Sequence, residues 1–331
     1  MNKFRLIDAH REVNKLLTKL ALGMGKNELN DSVVSLSERW FGKRKASILR
    51  LEAAAGRLYL ECAPSLPDFY NQAIEGIEIG PTVGSCGAAA SLKQTTVVTD
   101  INTHPNWAAF KDLALKARVQ ACWSVPILSS AQKVLGTFAI YSEAPSVPDE
   151  DELEVLQMLA SLYAVAWEKY QLEEQLHYQA RHDSLTDCYN RSELFSRSRE
   201  IIDAPYLYTI CIFADVNYFK HVNDHYGHDI GDNVLRAVGE VFNQAFAENG
   251  LSVRYGGDEF VAFSFANTQQ ALEDLVQSVI TGLSNNHELN HTNVTVSVGK
   301  TICLTGEFTR IEPLIQLADK DMYRVKYQSR T

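Results

Sequence analysis

The 331 residues contain no unbroken apolar run approaching the ~18 residues of a membrane-spanning helix. The opening MNKFRLIDAHREVNKLL likewise lacks the apolar centre of a secretory leader. No membrane contact is therefore expected, and the cytoplasm is the expected location. Basic charge is in deficit: 31 Lys and Arg stand against 41 Asp and Glu, a net charge of -10. That balance argues against a nucleic-acid partner, which demands a basic stripe. Nucleotides stay compatible with it, because a metal ion screens their phosphates. Cysteine is sparse, and Cys62, Cys86, Cys122, Cys188, Cys211 and Cys303 follow no metal-type spacing, which suits reduced thiols. Low-complexity segments are missing too. What remains is the composition of a soluble globular chain, long enough for about two cores.

Along the chain the pattern changes three times. After an expected N-terminal helix over 1–24, the segments ASILRLE, RLYLECA, TTVVTDI, ACWSVPIL and VLGTFAIY read as short strands of one α+β domain, 25–148. APSVPDEDE then breaks the strand pattern with two prolines and an acidic run suited to a helix start near Pro148 or Asp149. Leu153, Leu156, Ala160, Tyr163, Trp167 and Tyr170 follow at three-and-four spacing, a coiled-coil-like seam on a helix expected over 149–182. Such a stripe packs either on its own domain or on a second copy. A dimer stalk is the expectation, since a lone rod would expose the stripe. Beyond Tyr170 the apolar positions shift to Leu172 and Leu176, off the first seam.

The rest, 183–331, reads strand, helices over 221–247, a hairpin, helix, strand, helix, which suits an antiparallel sheet covered by helices on one face. The hairpin is centred on RYGGDEF, 254–260. Gly256 and Gly257 read as a two-residue primed turn, which requires positive φ. If the strand TICIFADV lies beside this hairpin, Asp215 at its end meets Asp258 just past the turn. Two crowded carboxylates repel unless a cation lies between them, and oxygen donors suit Mg²⁺. Downstream, Lys220 is a point cation suited to phosphate, while Asn223 and Asp232 can pair with a nucleobase edge. A carboxylate accepts from both the ring N–H and the exocyclic amine of guanine. Lys326 and Arg330, four apart on one expected helix, can face a single anion.

HDSLTDCYNR, DVNYFKHVNDHYGHDIGD, RYGGDEF, VTVSVG and ADKDMYRVK, in this order and spacing, resemble the GGDEF family of diguanylate cyclases over 181–331. The resemblance implies a palm-like α+β fold, akin to nucleotidyl cyclases and ferredoxin-like domains, and condensation of two GTP into cyclic di-GMP with release of two pyrophosphates. It implies that Asp215, the Val216 carbonyl and Asp258 hold Mg²⁺, or Mn²⁺ in its place. Lys220, Lys326 and Arg330 would hold the triphosphate, Phe219, Asn223 and Asp232 would contact substrate, and Glu259 would assist deprotonation of the ribose 3′-hydroxyl. Each domain would supply half a site, which requires a homodimer. Asn217 stands where the family often has Asp, and Ser329 where it usually has Gly. At the position of the family's R-x-x-D product-binding motif the chain has Ala247-Glu248-Asn249-Gly250, so product inhibition there is expected to be weak. A catalytically dead receptor would usually have lost Asp215, Lys220 or the GGDEF run.

Residues 84–141, GSCGAAASLKQTTVVTDINTHPNWAAFKDLALKARVQACWSVPILSSAQKVLGTFAIY, resemble the GAF sensory family. The resemblance implies a pocket between sheet and helices for a small-molecule ligand. Cys86, His104, Trp107, Cys122 and Trp123 are the residues to weigh there. The bland reading makes both tryptophans core and His104 a loop cap; haem ligation by His104 and redox sensing by Cys86 or Cys122 are the alternatives.

Overall fold

The computed structural model describes residues 3–42 and 44–328, which divide into two compact units, Met1–Glu173 and Glu174–Thr331. The first unit contains α1 (Lys3–Ala21), α2 (Lys26–Phe41), β1 (Lys45–Glu52), β2 (Arg57–Cys62), α3 (Asp68–Ile74), β3 (Ile77–Glu78), α4 (Cys86–Leu92), β4 (Thr96–Val98), α5 (Lys111–Lys116), β5 (Ala121–Leu128), β6 (Val134–Ser142) and most of α6 (Glu150–Arg181). Its strands form one antiparallel sheet in the order β3-β2-β1-β6-β5-β4. Successive strand residues face opposite sides. Trp123, Val125, Phe138 and Ile140 therefore pack with α1, α2 and α6, while Cys122, Ala139 and Tyr141 pack with Tyr70, Cys86 and Trp107 on the other face.

α6 begins with a reciprocal cap. The Asp149 carboxylate accepts from the Glu152 N–H at 2.7 Å, and the Glu152 carboxylate accepts from the Asp149 N–H at 3.0 Å. The expected dimer seam is not available to a second copy. Leu156, Ala160, Tyr163 and Trp167 are buried in the first unit's own core, and the Tyr170 hydroxyl donates to the Met24 carbonyl at 2.8 Å. The sheet residues Trp123, Val125 and Phe138 offer this stripe an apolar surface within one chain, without the entropy cost of association. Val165, Leu172, Leu176 and Tyr178, 50%, 57%, 56% and 47% exposed, are the large apolar side chains that the helix leaves uncovered.

The second unit continues with β7 (Tyr189–Asn190), α7 (Arg191–Ser196), α8 (Ser198–Ile202), β8 (Tyr208–Val216), α9 (Phe219–Tyr226), α10 (His228–Ala245), β9 (Gly250–Arg254), β10 (Glu259–Ala266), α11 (Gln269–Asn285), α12 (His287–His291), β11 (Val296–Leu304) and α13 (Glu312–Gln328). The sheet order is β11-β8-β10-β9-β7, antiparallel except for the β7–β9 pair. Helices cover both faces, not one. α9 to α12 pack on Ile210, Ile212, Phe260 and Ala262, while α7, α8 and α13 pack on Cys211, Phe213, Val261 and Phe263. Burial on both sides is why β8 and β10 read as continuous apolar runs rather than alternating ones. Gly227, at φ 87°, splits the expected helical stretch 221–247 into α9 and α10.

Candidate active site

β8 and β10 run antiparallel at the centre of the second sheet, and their register sets Glu259 directly opposite Asp215. The hairpin differs from the expected tight turn. The connection runs from Tyr255 to Asp258, and neither Gly256 nor Gly257 has positive φ. Space, not handedness, is what Gly256 supplies: a Cβ there would collide with the Glu259 carboxylate. The turn is held from below by Arg254, whose guanidinium donates to the Gly257 carbonyl at 2.8 and 3.2 Å and to Asp183 Oδ1 at 3.0 Å. Asp183 also accepts from the Thr186 N–H and hydroxyl. Burial raises the Asp183 pKa, but these donors outweigh it and hold the carboxyl below its ordinary value.

The Val216 N–H donates to the Asp258 carbonyl at 3.1 Å, which ties the end of β8 to the acidic turn. Asn217 explains its own departure from the family pattern. It accepts from the Ser297 hydroxyl and donates to the Thr295 hydroxyl, both at 2.9 Å, so its amide uses a donor that a carboxylate lacks. Tyr218 then turns into α9 with φ 55°.

Lys326 of α13 forms an ion pair with Asp215. Its reach depends on Gly299, where α13 lies so close to β11 that a Cβ would collide with the backbone of Met322 and Ala318. Negative charge is nevertheless in excess. Asp258 is pushed above the ordinary carboxylate value by burial and then by Asp215. Glu259 is pushed up by burial, then by Asp258, Asp215 and Asp319, with Arg191 opposing.

The structure thus gathers Asp215, Val216, Asp258, Glu259 and Lys326. Phe219 opens α9, Asn223 lies further along it and Asp232 lies near the start of α10; a Cβ at Gly231 would meet the side chains of Asn223 and Phe219. Lys220 is exposed on the first turn of α9. Arg330 and Ser329 lie outside the described residues. The sequence reading assigns no role to Arg254, Asp183 or Asp319, although they lie in RYGGDEF, HDSLTDCYNR and ADKDMYRVK.

In the first unit His104 is a loop cap, its Nδ1 accepting from the Asn106 N–H at 3.2 Å. Trp123 is core, and the Arg44 guanidinium lies 4.4 Å from its ring centroid. Trp107 is buried, donates to the Ser85 hydroxyl at 3.1 Å, and lines a cavity of about 20 Å³ together with Cys86, Tyr70 and Tyr141. Cys122 lies in the same core.

A five-stranded sheet between two helical layers, with acidic side chains gathered where its central strands end, defines a palm-like α+β domain; the six-stranded unit before it is a second α+β domain. Residues 180–331 match the family described as "Diguanylate cyclase, GGDEF domain", and residues 25–168 match the GAF domain family, so the chain is a GAF domain followed by a GGDEF domain. The signaling protein YkoW of Bacillus subtilis is 32% identical over 189 residues, 54% of this chain and 24% of that protein. Diguanylate cyclase A of Treponema denticola is 26% identical over 193 residues, 54% of this chain and 49% of that one. The methyl sulfide methyltransferase-associated sensor of Methanosarcina acetivorans is 31% identical over 163 residues, 49% of this chain and 16% of that one. The chain thus spans half or less of these curated relatives. Among solved structures, the coiled coil and GGDEF domain of DgcB from Caulobacter crescentus aligns with 53% of this chain and 95% of its own, at 25% identity and a TM-score of 0.44. Among the described residues no helix is long and apolar enough to cross a membrane.

Proposed function

We propose that the chain is a diguanylate cyclase, joining two GTP molecules into cyclic di-GMP with release of two pyrophosphates under control of its GAF domain. The observation that carries this reading is the convergence of Asp215, Asp258 and Glu259 where β8 ends and β10 begins, with the pKa values of Asp258 and Glu259 raised by burial and then by the neighbouring carboxylates. An uncompensated carboxylate cluster fits a divalent cation. Among the described residues no three His, Cys, Asp or Glu side chains form a ligand set by themselves. Two carboxylates and the Val216 carbonyl, completed by phosphate oxygens, match the way Mg²⁺ is usually bound with substrate. Mg²⁺, or Mn²⁺, if held by Asp215, the Val216 carbonyl and Asp258, would neutralise charge developing on the α-phosphate.

The side chains divide the remaining work. Lys220, Lys326 and Arg330 hold the triphosphate. Asn223 and Asp232 read the guanine edge, with Phe219 beside them. Glu259 takes the proton of the ribose 3′-hydroxyl, and its raised pKa brings it closer to the range in which a base works at neutral pH. The functional segments are 1–24, the GAF domain 25–148, the linker 149–182 and the cyclase domain 183–331. Because one domain binds one GTP, two copies must face each other, in the cytoplasm, with Leu172 and Leu176 available for the contact between them.

Incubating the purified chain with GTP and Mg²⁺ and identifying the product tests the reading. Cyclic di-GMP and pyrophosphate are expected. Tight GTP binding without turnover would instead mark a nucleotide receptor.

A further inference from the structure

The cyclase chemistry leaves unused a second cluster of reactive side chains, on the cavity face of the first unit's sheet. Cys86 opens α4 and Cys122 lies on β5; both are buried in one core, and the hydroxyl of Ser85, the residue before Cys86, donates to the Cys122 carbonyl at 3.1 Å. Tyr141, opposite Cys122 in the β5–β6 register, places its hydroxyl 3.8 Å from the Cys86 sulfur and 2.9 Å from the Ser47 hydroxyl. The hydroxyls of Ser124 and Thr137 are buried on the same face of the sheet and have no hydrogen-bond partner among the described residues. An unmet buried hydroxyl costs ~1–3 kcal/mol, so two of them on one face of an apolar core ask for a reason. An anionic sulfur supplies one, since it would accept from both. Cys86 also lines the cavity of about 20 Å³, room for a water-sized molecule, whereas Cys122 is not part of that lining.

We propose that Cys86 and Cys122 form a dithiol–disulfide site oxidised by a small hydroperoxide entering this cavity. The Cys86 thiolate attacks the near oxygen of the peroxide; the O–O bond breaks, giving a sulfenic acid on Cys86 and hydroxide. The Cys122 sulfur then attacks the Cys86 sulfur. The S–O bond breaks, a disulfide forms, and the second oxygen leaves as water, so two thiols and hydrogen peroxide become one disulfide and two waters. The roles follow from an asymmetry. Cys86 is held below the ordinary thiol value, first by the neighbouring Cys122 thiol and against its burial, with the Tyr141 hydroxyl beside the sulfur. Cys122 is pushed well above it by burial and by the neighbouring Cys86 sulfur. The titratable groups facing Cys86 are Cys122 of β5, Tyr141 of β6 and Tyr70 of α3; none of the leading influences on it is a charged side chain. Burial pushes the thiols of Cys62, Cys188 and Cys303 to about 11, and that of Cys211 well above its usual value, so these four serve as internal controls.

The test treats the full chain with hydrogen peroxide, then denatures it, alkylates free thiols and maps peptides by mass. A Cys86–Cys122 disulfide is expected at peroxide doses that leave the other four thiols alkylatable, at a rate that rises with pH around a midpoint below the ~8.5 of an ordinary thiol. In Cys122→Ser a sulfenic acid on Cys86 is trapped by a 1,3-dione; in Cys86→Ser the Cys122 thiol stays reduced. The proposal is overturned if the wild-type map shows both thiols free when the controls are equally free, or shows Cys86 over-oxidised beside a reduced Cys122. The wild-type map decides even if the serine variants fail to fold. No GTP turnover enters the readout.

Discussion

Asp258 is under opposing demands. Its pKa is raised, first by burial and then by Asp215, so its contribution to stability is full below the ordinary carboxylate range and is lost as pH rises through the raised value. At neutral pH without metal the carboxylate therefore destabilises the fold. Asp258→Asn is expected to melt above wild type at pH 7, with the gap closing as pH falls below ~4, the ordinary Asp value. Added Mg²⁺ should raise the wild-type melting temperature more than that of the variant, while turnover drops by about 100-fold or more. Thermal melts across pH with and without metal, beside initial rates, check all three. Asp232 makes a separate demand, on base choice. Asp232→Ser removes the acceptor for guanine's two donors, and the GTP preference over ATP should fall by about 30-fold in competition assays. Asp215, Asp258 and Asp232 were legible because each stands in a distinctive local run. The Arg254–Asp183 pair was not, because its members are 71 residues apart and only the folded sheet brings them together.

At the scale of elements, α13 and α6 show how packing positions chemistry. Gly299→Ala forces α13 away from β11 and so draws Lys326 from Asp215. Overpacking of this kind costs ~1–3 kcal/mol, and the variant should show both a lower melting temperature and a raised KM for GTP. α6 has two regimes along its length. Leu156→Ala opens a cavity in the GAF core and should cost ~2–5 kcal/mol by denaturant titration. Leu172→Ser with Leu176→Ser should leave that titration within about 0.5 kcal/mol, yet lower the dimer fraction seen by sedimentation. The three-and-four spacing revealed the helix. It could not reveal the partner of the stripe, because a helix seam looks the same whether a sheet or another helix covers it.

For the whole molecule, the proposed cyclase activity carries an expectation about product inhibition. Ala247-Glu248-Asn249-Gly250 carries no guanidinium, and its Asn249 side chain accepts from the Tyr206 hydroxyl at 3.3 Å. Progress curves with added cyclic di-GMP should fit competitive inhibition alone; a potent non-competitive component would locate product on another basic surface. The sequence by itself determined the two-domain order, the strand segments and the acidic hairpin, because glycine, charge and apolar periodicity act locally. Tertiary structure alone decided that helices cover both faces of the second sheet, that α6 spends its seam on its own domain, that Gly256 makes room for Glu259, and that two distant thiols share one core. These outcomes depend on which surfaces come together in space. Local sequence carries no information about that until long-range burial selects one arrangement.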